Sequence, residues 1–316
     1  MGAGRRRQGL GPFVARDLVA AGAVIPGFVV TRAESRDAVL RAWSDDLGIA
    51  PRGHLDLPSL LAEGGLDALA ILSPAETHER HLEAALEAGL HVLCEKPFLW
   101  GRPELGAAAR RLALGFDARG LLLWENCQWP YALPAFEQLH PGALSGPLRR
   151  LAMRLQPASR GAQMLGDSVP HVLSLIQALL PGGAGRIEQL RFAGGEPASD
   201  RLDLAFRFLA GERALEVEIE LRRSDGHPRE AVLEIDGLRA ERLVAADGYR
   251  LSFGADGRRV PLPDPLTRLV ADFTAALPPP GARATATRSR EIAERMELLG
   301  HIVTGFARQA RGEAAS

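Results

Sequence analysis

The sequence predicts a two-domain α/β protein: a parallel α/β domain over residues 1–125, then an α+β domain over 126–316 with a largely antiparallel, open sheet. Three observations predict it. The length of 316 residues exceeds what one core usually serves. Short apolar runs alternate with helical stretches over roughly the first 130 residues, the rhythm of βαβ units. After about residue 148 the apolar period changes to two, the mark of strands with one buried and one wet face.

The elements follow in chain order. Residues 13–21 predict a helix and 24–31 (VIPGFVVT) a strand. Residues 67–73 (DALAILS) form a continuous apolar run stopped by Pro74, as expected of a strand buried on both faces. Residues 77–88 predict a helix ended by Gly89, 91–94 a strand, 103–116 a helix and 121–124 a strand. In the second half Leu151, Met153 and Leu155 alternate with other residues, as do Leu202, Leu204, Phe206 and Phe208. Leu215, Val217, Ile219 and Leu221 alternate with Glu216, Glu218 and Glu220. Two helices close the chain, over 264–277 and from about Ser289, where Ile292, Met296, Leu299, Val303 and Phe306 form one stripe. The Pro-rich turn 278–280 separates them.

Composition removes several functions. The 38 basic and 39 acidic residues nearly cancel, so no basic excess exists to hold a nucleic-acid backbone. No run of 18 apolar residues occurs, so no membrane span is expected. Two cysteines, Cys94 and Cys127, make no disulfide framework, and a cytoplasmic location fits them. No metal-ligand spacing is present. One detail stands out: 37 of the 38 basic residues are Arg, and Lys96 is the only lysine. Asn126 is likewise the only asparagine. A GC-rich coding bias drains both residue types; the other reading is that one lysine persists where arginine cannot replace it.

Glycine punctuation gives the N-terminal domain a task. Gly2-Ala3-Gly4 and Arg5 open the chain, and Gly9 and Gly11 follow ahead of the first helix. A Gly-x-Gly turn before a helix lets backbone N–H groups approach a pyrophosphate, as in a Rossmann dinucleotide-binding domain. The third glycine of the fingerprint would fall at Arg7, a role Gly9 can take through a longer loop. The strand that should deliver these glycines is not in the sequence, so the first strand of the domain is expected to be truncated. The second strand ends Thr31-Arg32 with no acid until Glu34. Arginine suits a 2′-phosphate by charge and fork geometry, which favours NADP over NAD.

Residues 67–97, DALAILSPAETHERHLEAALEAGLHVLCEKP, carry an ordered set of motifs: Ser73-Pro74, then His78, Ala88-Gly89 and Glu95-Lys96-Pro97. This stretch resembles the glucose–fructose oxidoreductase / inositol dehydrogenase / MocA (Gfo/Idh/MocA) family. A second signature of that family, Asp-x-x-x-His, is matched by Asp167 and His171 in GAQMLGDSVPHVLSLI. The family often has an acid where this chain has Ser174, and a glycine where it has Val169. The resemblance implies a nicotinamide-dependent oxidoreductase acting on a sugar, polyol or related hydroxy compound. It places Ser73, Pro74, His78, Glu95 and Lys96 at the cofactor, beside Gly2, Gly4, Arg5, Gly9, Thr31 and Arg32.

Alcohol oxidation needs hydride loss to nicotinamide and proton loss to a base. Histidine, with an ordinary pKa near neutrality, suits His171 to the second task. Lys96 can hydrogen-bond the reacting oxygen, with a compact ammonium unlike a guanidinium. Asp167 can accept a substrate hydroxyl, orient His171, or simply cap a helix. Glu95 supports Lys96 or the local backbone, and the Lys96–Pro97 bond is a candidate cis bond. His78 is placed either near the cofactor or as a plain helix-start residue. Asn126, Gln128 and Trp129 follow a parallel strand at its carboxyl end, where such sheets bind ligands. They are candidates for a substrate or nicotinamide contact and equally for interdomain packing. A second class of function is a non-catalytic sensor of nicotinamide nucleotide. Family members often pair through the open sheet face, so a homo-oligomer is a candidate state. Here that face carries Glu216, Glu218, Glu220, Asp203 and Arg207, which excludes an apolar interface.

Overall fold

The computed structural model describes residues 9–182, 185–196, 198–245, 250–279, 281–284 and 288–312. Gly2, Gly4 and Arg5 of the glycine-rich opening lie outside these, as does Pro280 of the Pro-rich turn. The chain divides into two compact units. The first comprises Met1–Pro103, Ala107–Asn126 and Leu266–Ala293; the second comprises Glu104–Gly106, Cys127–Pro265 and Glu294–Ser316. A single cut at 125/126 therefore misses the return of Leu266–Ala293 to the first unit.

The first unit holds α1 (Gly11–Ala20), β1 (Gly27–Val29), α2 (Ala33–Leu47), β2 (Arg52–His54), α3 (Leu57–Leu61), β3 (Ala68–Ile71), α4 (His78–Glu87), β4 (His91–Cys94), most of α5 (Leu105–Arg119) and β5 (Leu123–Glu125). The expected strand over 24–31 shortens to three residues, since Pro26 has no N–H for a ladder. The expected helix 77–88 starts one residue later, after a short 3₁₀ turn over Ala75–Thr77. Helices α2 and α3 and strand β2 had no counterpart in the sequence reading.

All pairs among these strands are parallel, in two pieces: β1–β2 and β3–β4–β5. Beside β1 and β3 lies a cavity of about 510 Å³, lined among others by Val14, Leu18, Phe28, Leu69, Phe273 and Leu277. Among the described residues the parallel strands of this unit thus form a divided sheet. Phe28 and Trp43, with centroids 5.1 Å apart, centre a core with Ala15, Val30 and Val39.

The segment returning to this unit contains α8 (Pro265–Ala276). Its Thr267 hydroxyl donates to buried Asp17 at 3.0 Å, and Phe273 meets the edge of Trp124 at 5.9 Å. The Arg288 guanidinium lies over the Trp124 ring, 4.1 Å from its centroid, and Trp124 is only 4% exposed.

The second unit is built on an eight-stranded sheet of β6 (Arg150–Leu155), β7 (Arg186–Gly194), β8 (Arg201–Ala210), β9 (Arg213–Arg222), β10 (Ala231–Ile235), β11 (Leu238–Val244), β12 (Leu251–Ala255) and β13 (Arg258–Leu262). Its order is β13-β12-β11-β10-β6-β9-β8-β7, antiparallel except for β6–β9. The period-two reading holds: Leu202, Leu204, Phe206 and Phe208 of β8 and Leu215, Val217, Ile219 and Leu221 of β9 are buried. The other face is a ladder of charges. Arg154 pairs with Glu220 at 2.9 Å, Arg150 with Glu218 at 2.9 Å, Arg207 with Glu216 at 3.5 Å, and Arg222 with Asp203. Helices α6 (Leu133–Leu139) and α7 (Gln163–Leu179) belong to this unit, as does all but the first turn of α9 (Ser289–Ala310). Both cysteines are free and buried. No helix among the described residues is long and apolar enough to cross a membrane.

Candidate functional site

In the first unit the polar residues gather where the parallel strands β4 and β5 end. Strand β4 is apolar and buried through Cys94, and the chain then turns polar at Glu95 and Lys96. This is the carboxyl edge, where parallel sheets leave strand-end groups for ligands. Asn126, next after β5, is 1% exposed and donates its amide to Oε2 of Glu95 at 2.7 Å. Its own backbone N–H bonds the Cys94 carbonyl at 2.7 Å, which fixes the side chain's direction. Burial pushes the Glu95 carboxyl up to about 7; the Lys96 charge and the Asn126 donor pull it down, and Glu125 pushes it further up. The Lys96–Pro97 bond is cis, as the sequence reading allowed. Glu125, which the sequence reading did not single out, is 4% exposed and accepts the Phe98 N–H at 2.8 Å. A visible signal existed: an acid closing the apolar run LLLW.

At the end of β3 the Ser73-Pro74 turn joins two histidines of α4. The Ser73 hydroxyl lies 2.7 Å from the Thr77 hydroxyl and 3.1 Å from Nδ1 of His81. The Thr77 hydroxyl donates to the Pro74 carbonyl at 2.7 Å. Burial, then the neighbouring Arg80, push His81 down to about 4. His78 is fully buried, with Nε2 2.8 Å from the Ser73 carbonyl and Nδ1 3.0 Å from the Pro97 carbonyl. This corrects one expectation. Both ring nitrogens of His78 are engaged by backbone, so it binds the two turns rather than offering a nitrogen to a cofactor. His91, too, is structural, accepting the Leu122 N–H at 2.8 Å.

Other nucleotide-binding candidates of this unit sit at helix starts. Gly9 lies two residues before α1. Thr31 and Arg32 follow β1 and are exposed; Arg32 is the extended N-cap residue of α2. Pro74 is exposed and Ser73 half-buried.

In the second unit, Asp167 and His171 lie on α7 at i, i+4 spacing, both half-buried on one helix face, while Ser168, Val169 and Val172 are buried. The helix begins at Gln163, so Asp167 stands inside it, not at its cap. Gln163 donates to Asp167 at 3.4 Å, and the Ser174 hydroxyl turns back to the His171 carbonyl at 2.7 Å. Ser174, where the family often has an acid, thus serves the backbone. Pro170 removes one N–H from the helix ladder beside this pair. Trp129 is 7% exposed and stacks on Phe253 at 6.5 Å, with the Arg242 guanidinium 5.8 Å from its ring. Trp129 is thus packed within its own unit. Gln128 is half-buried. No cluster of metal-ligating side chains occurs among the described residues.

A family model described as "Oxidoreductase family, NAD-binding Rossmann fold" (GFO_IDH_MocA) matches residues 12–114. Over that third of its length the chain is similar to the Gfo/Idh/MocA family. Among curated relatives, UDP-N-acetylglucosamine 3-dehydrogenase of Acidithiobacillus ferrooxidans is 31% identical over 164 residues, 49% of this chain and 47% of that protein. D-apiose dehydrogenase of Paraburkholderia graminis is 26% identical over 251 residues, 73% and 64% respectively. The chain thus spans less than two thirds of each of these relatives. A probable dehydrogenase from Thermotoga maritima has the same fold, with a TM-score of 0.70 at 16% identity over 98% of this chain and 96% of that one.

Proposed function

We propose that this chain is a Gfo/Idh/MocA member and an NAD(P)-dependent dehydrogenase or reductase, transferring hydride between the nicotinamide and a hydroxyl or carbonyl carbon of a sugar or polyol. The observation that carries the reading is the strand-end cluster. A lone lysine follows a buried parallel strand beside Glu95, whose carboxyl is poised near 7 and held by buried Asn126. The chain's own residues fit a nucleotide cofactor. Exposed Arg32 stands at the N-terminus of α2, where free N–H groups already favour an anion, and this supports a preference for NADP. Gly9, Thr31, Ser73, Pro74, Glu95 and Lys96 would hold the remainder, together with Gly2, Gly4 and Arg5.

A bound nicotinamide supplies the hydride acceptor, or the donor in the reverse direction. Lys96 hydrogen-bonds the reacting oxygen and stabilises its developing negative charge. His171 takes the hydroxyl proton onto its imidazole, and Asp167 orients it or accepts a neighbouring substrate hydroxyl. Asn126 holds Glu95 beside Lys96, which keeps the ammonium directed. Gln128 contributes a substrate contact. The test is binding of NADPH against NADH, followed by turnover on a sugar and polyol panel with the tighter nucleotide. Turnover abolished by Lys96→Ala supports the reading. Tight nucleotide binding with no turnover across the panel would replace it with a nucleotide sensor.

A further inference from the structure

We propose that His78 is a positioning residue that carries both ring protons in the folded protein and so clamps the Ser73 turn to the Lys96-Pro97-Phe98 turn. The geometry requires two donors. Nε2 lies 2.8 Å from the Ser73 carbonyl and Nδ1 lies 3.0 Å from the Pro97 carbonyl. A carbonyl oxygen only accepts, and a neutral imidazole has one N–H. With a single proton, one of these two contacts would set a ring lone pair against an oxygen lone pair, inside a fully buried site.

His81, one turn along α4, shows the other case. Its Nδ1 faces the Ser73 hydroxyl and its Nε2 faces the Arg80 Nε–H at 3.3 Å, so one donor and one acceptor suffice and a neutral ring satisfies both. The same helix therefore presents two buried histidines whose partners demand different protonation states.

The charge has company. Burial is the largest influence on His78 and carries its pKa below the ordinary 6.5, so the second proton rests on the two carbonyl contacts. Against burial stand the Ser73, Pro97 and Phe98 carbonyls and the carboxylate of Glu125 on β5. Glu125 also accepts the Phe98 N–H, so cation and anion grip the same turn from two sides. His81 on α4 is the other titratable group coupled to His78, and it is held neutral. An imidazolium satisfies both carbonyls, where a neutral ring leaves one contact repulsive. What the clamp positions is the backbone that follows Lys96; that consequence alone rests on the proposed dehydrogenase function.

The experiment is nitrogen NMR of the full chain labelled at histidine, with His78 assigned through its backbone. At about pH 7 both ring nitrogens of His78 are expected at the imidazolium position, while those of His81 split as a neutral tautomer does. A neutral-tautomer pattern for His78 would overturn the clamp, whether or not the protein turns over any substrate. In His78→Gln the backbone amides of Lys96 and Phe98 are expected to shift and kcat to fall about ten-fold. Unmoved amides, or unchanged kcat in an active enzyme, would refute the positioning role. If that variant does not fold, the wild-type spectrum still decides the protonation state on which the clamp depends.

Discussion

The amide of Asn126 donates to the carboxylate of Glu95 at 2.7 Å, joining the ends of two adjacent parallel strands directly beside the chain's one lysine. The pair sets the electrostatics of the proposed reaction centre. Asn126 favours the charged form of Glu95, while burial favours the neutral form by more. Removing the donor in Asn126→Ala moves the Glu95 titration above about 7. In an active enzyme, the neutral-pH limb of the kcat profile is expected to shift alkaline. A limb that stays in place shows that Glu95 does not shape the rate.

Glu95 also links stability to pH. Its carboxyl titrates near 7 in the fold against an ordinary value of 4.5. Between these values the folded protein holds a proton that the unfolded chain has released, so stability falls as pH rises through that window. Urea midpoints measured from about pH 4.5 to about pH 8 should drop on the alkaline side. Glu95→Gln should flatten that slope, and an equal slope in the variant would assign it to other groups.

Lys96→Arg keeps the charge but replaces a compact donor with a broad planar one. We expect kcat to fall about 100-fold, near the loss from Lys96→Ala, and by more than any rise in nucleotide Kd. Steady-state kinetics beside fluorescence titration of the nucleotide separates the two. Retained turnover would leave the single lysine to coding bias.

His171→Asn should lower kcat by about 100-fold or more if the imidazole takes the hydroxyl proton. Asp167→Asn should cost less if the carboxylate only orients it. Equal losses in kcat would place both in the proton path.

Arg32→Ala tests the nucleotide preference. NADPH affinity is expected to fall about ten-fold and NADH affinity to stay within about two-fold, since only one carries the 2′-phosphate. Calorimetric titration with both nucleotides reads this directly, and parallel losses would remove Arg32 from discrimination.

The legible parts of the molecule were those with strong local signals. Residues 67–97 announce strand, turn, helix and strand through apolar runs and stops, and their motifs led to Lys96 and Glu95. The alternation in β8 and β9 is equally plain because one face is almost wholly apolar and the other mostly charged. Residues 33–61 were not legible. In α2 only Val39 and Trp43 are buried, too few to mark a helical period, and β2 has three residues with none buried. Strands β10, β12 and β13 are five residues each, short for a period-two count. Partnerships across the sheet were beyond reach as well. Asn126 and Glu95 are 31 residues apart, and only the pairing of β4 with β5 brings them together. His78 could be noticed, but its task depends on a carbonyl 19 residues away.

The two-piece parallel sheet has a consequence for how this unit breathes. Strands β1 and β2 are three residues each and hydrogen-bond only to one another among the described strands, with the cavity on the far side of β1. They should act as a separate unfolding unit, opening at a free energy well below that of β3, β4 and β5. Amide hydrogen exchange would show it as fast exchange at Phe28 and His54 beside slow exchange at Val92 and Leu93. Arg32 sits at the far end of that loose pair, so its grip on a nucleotide would lend the pair protection it lacks alone, and NADPH would slow exchange there by linkage.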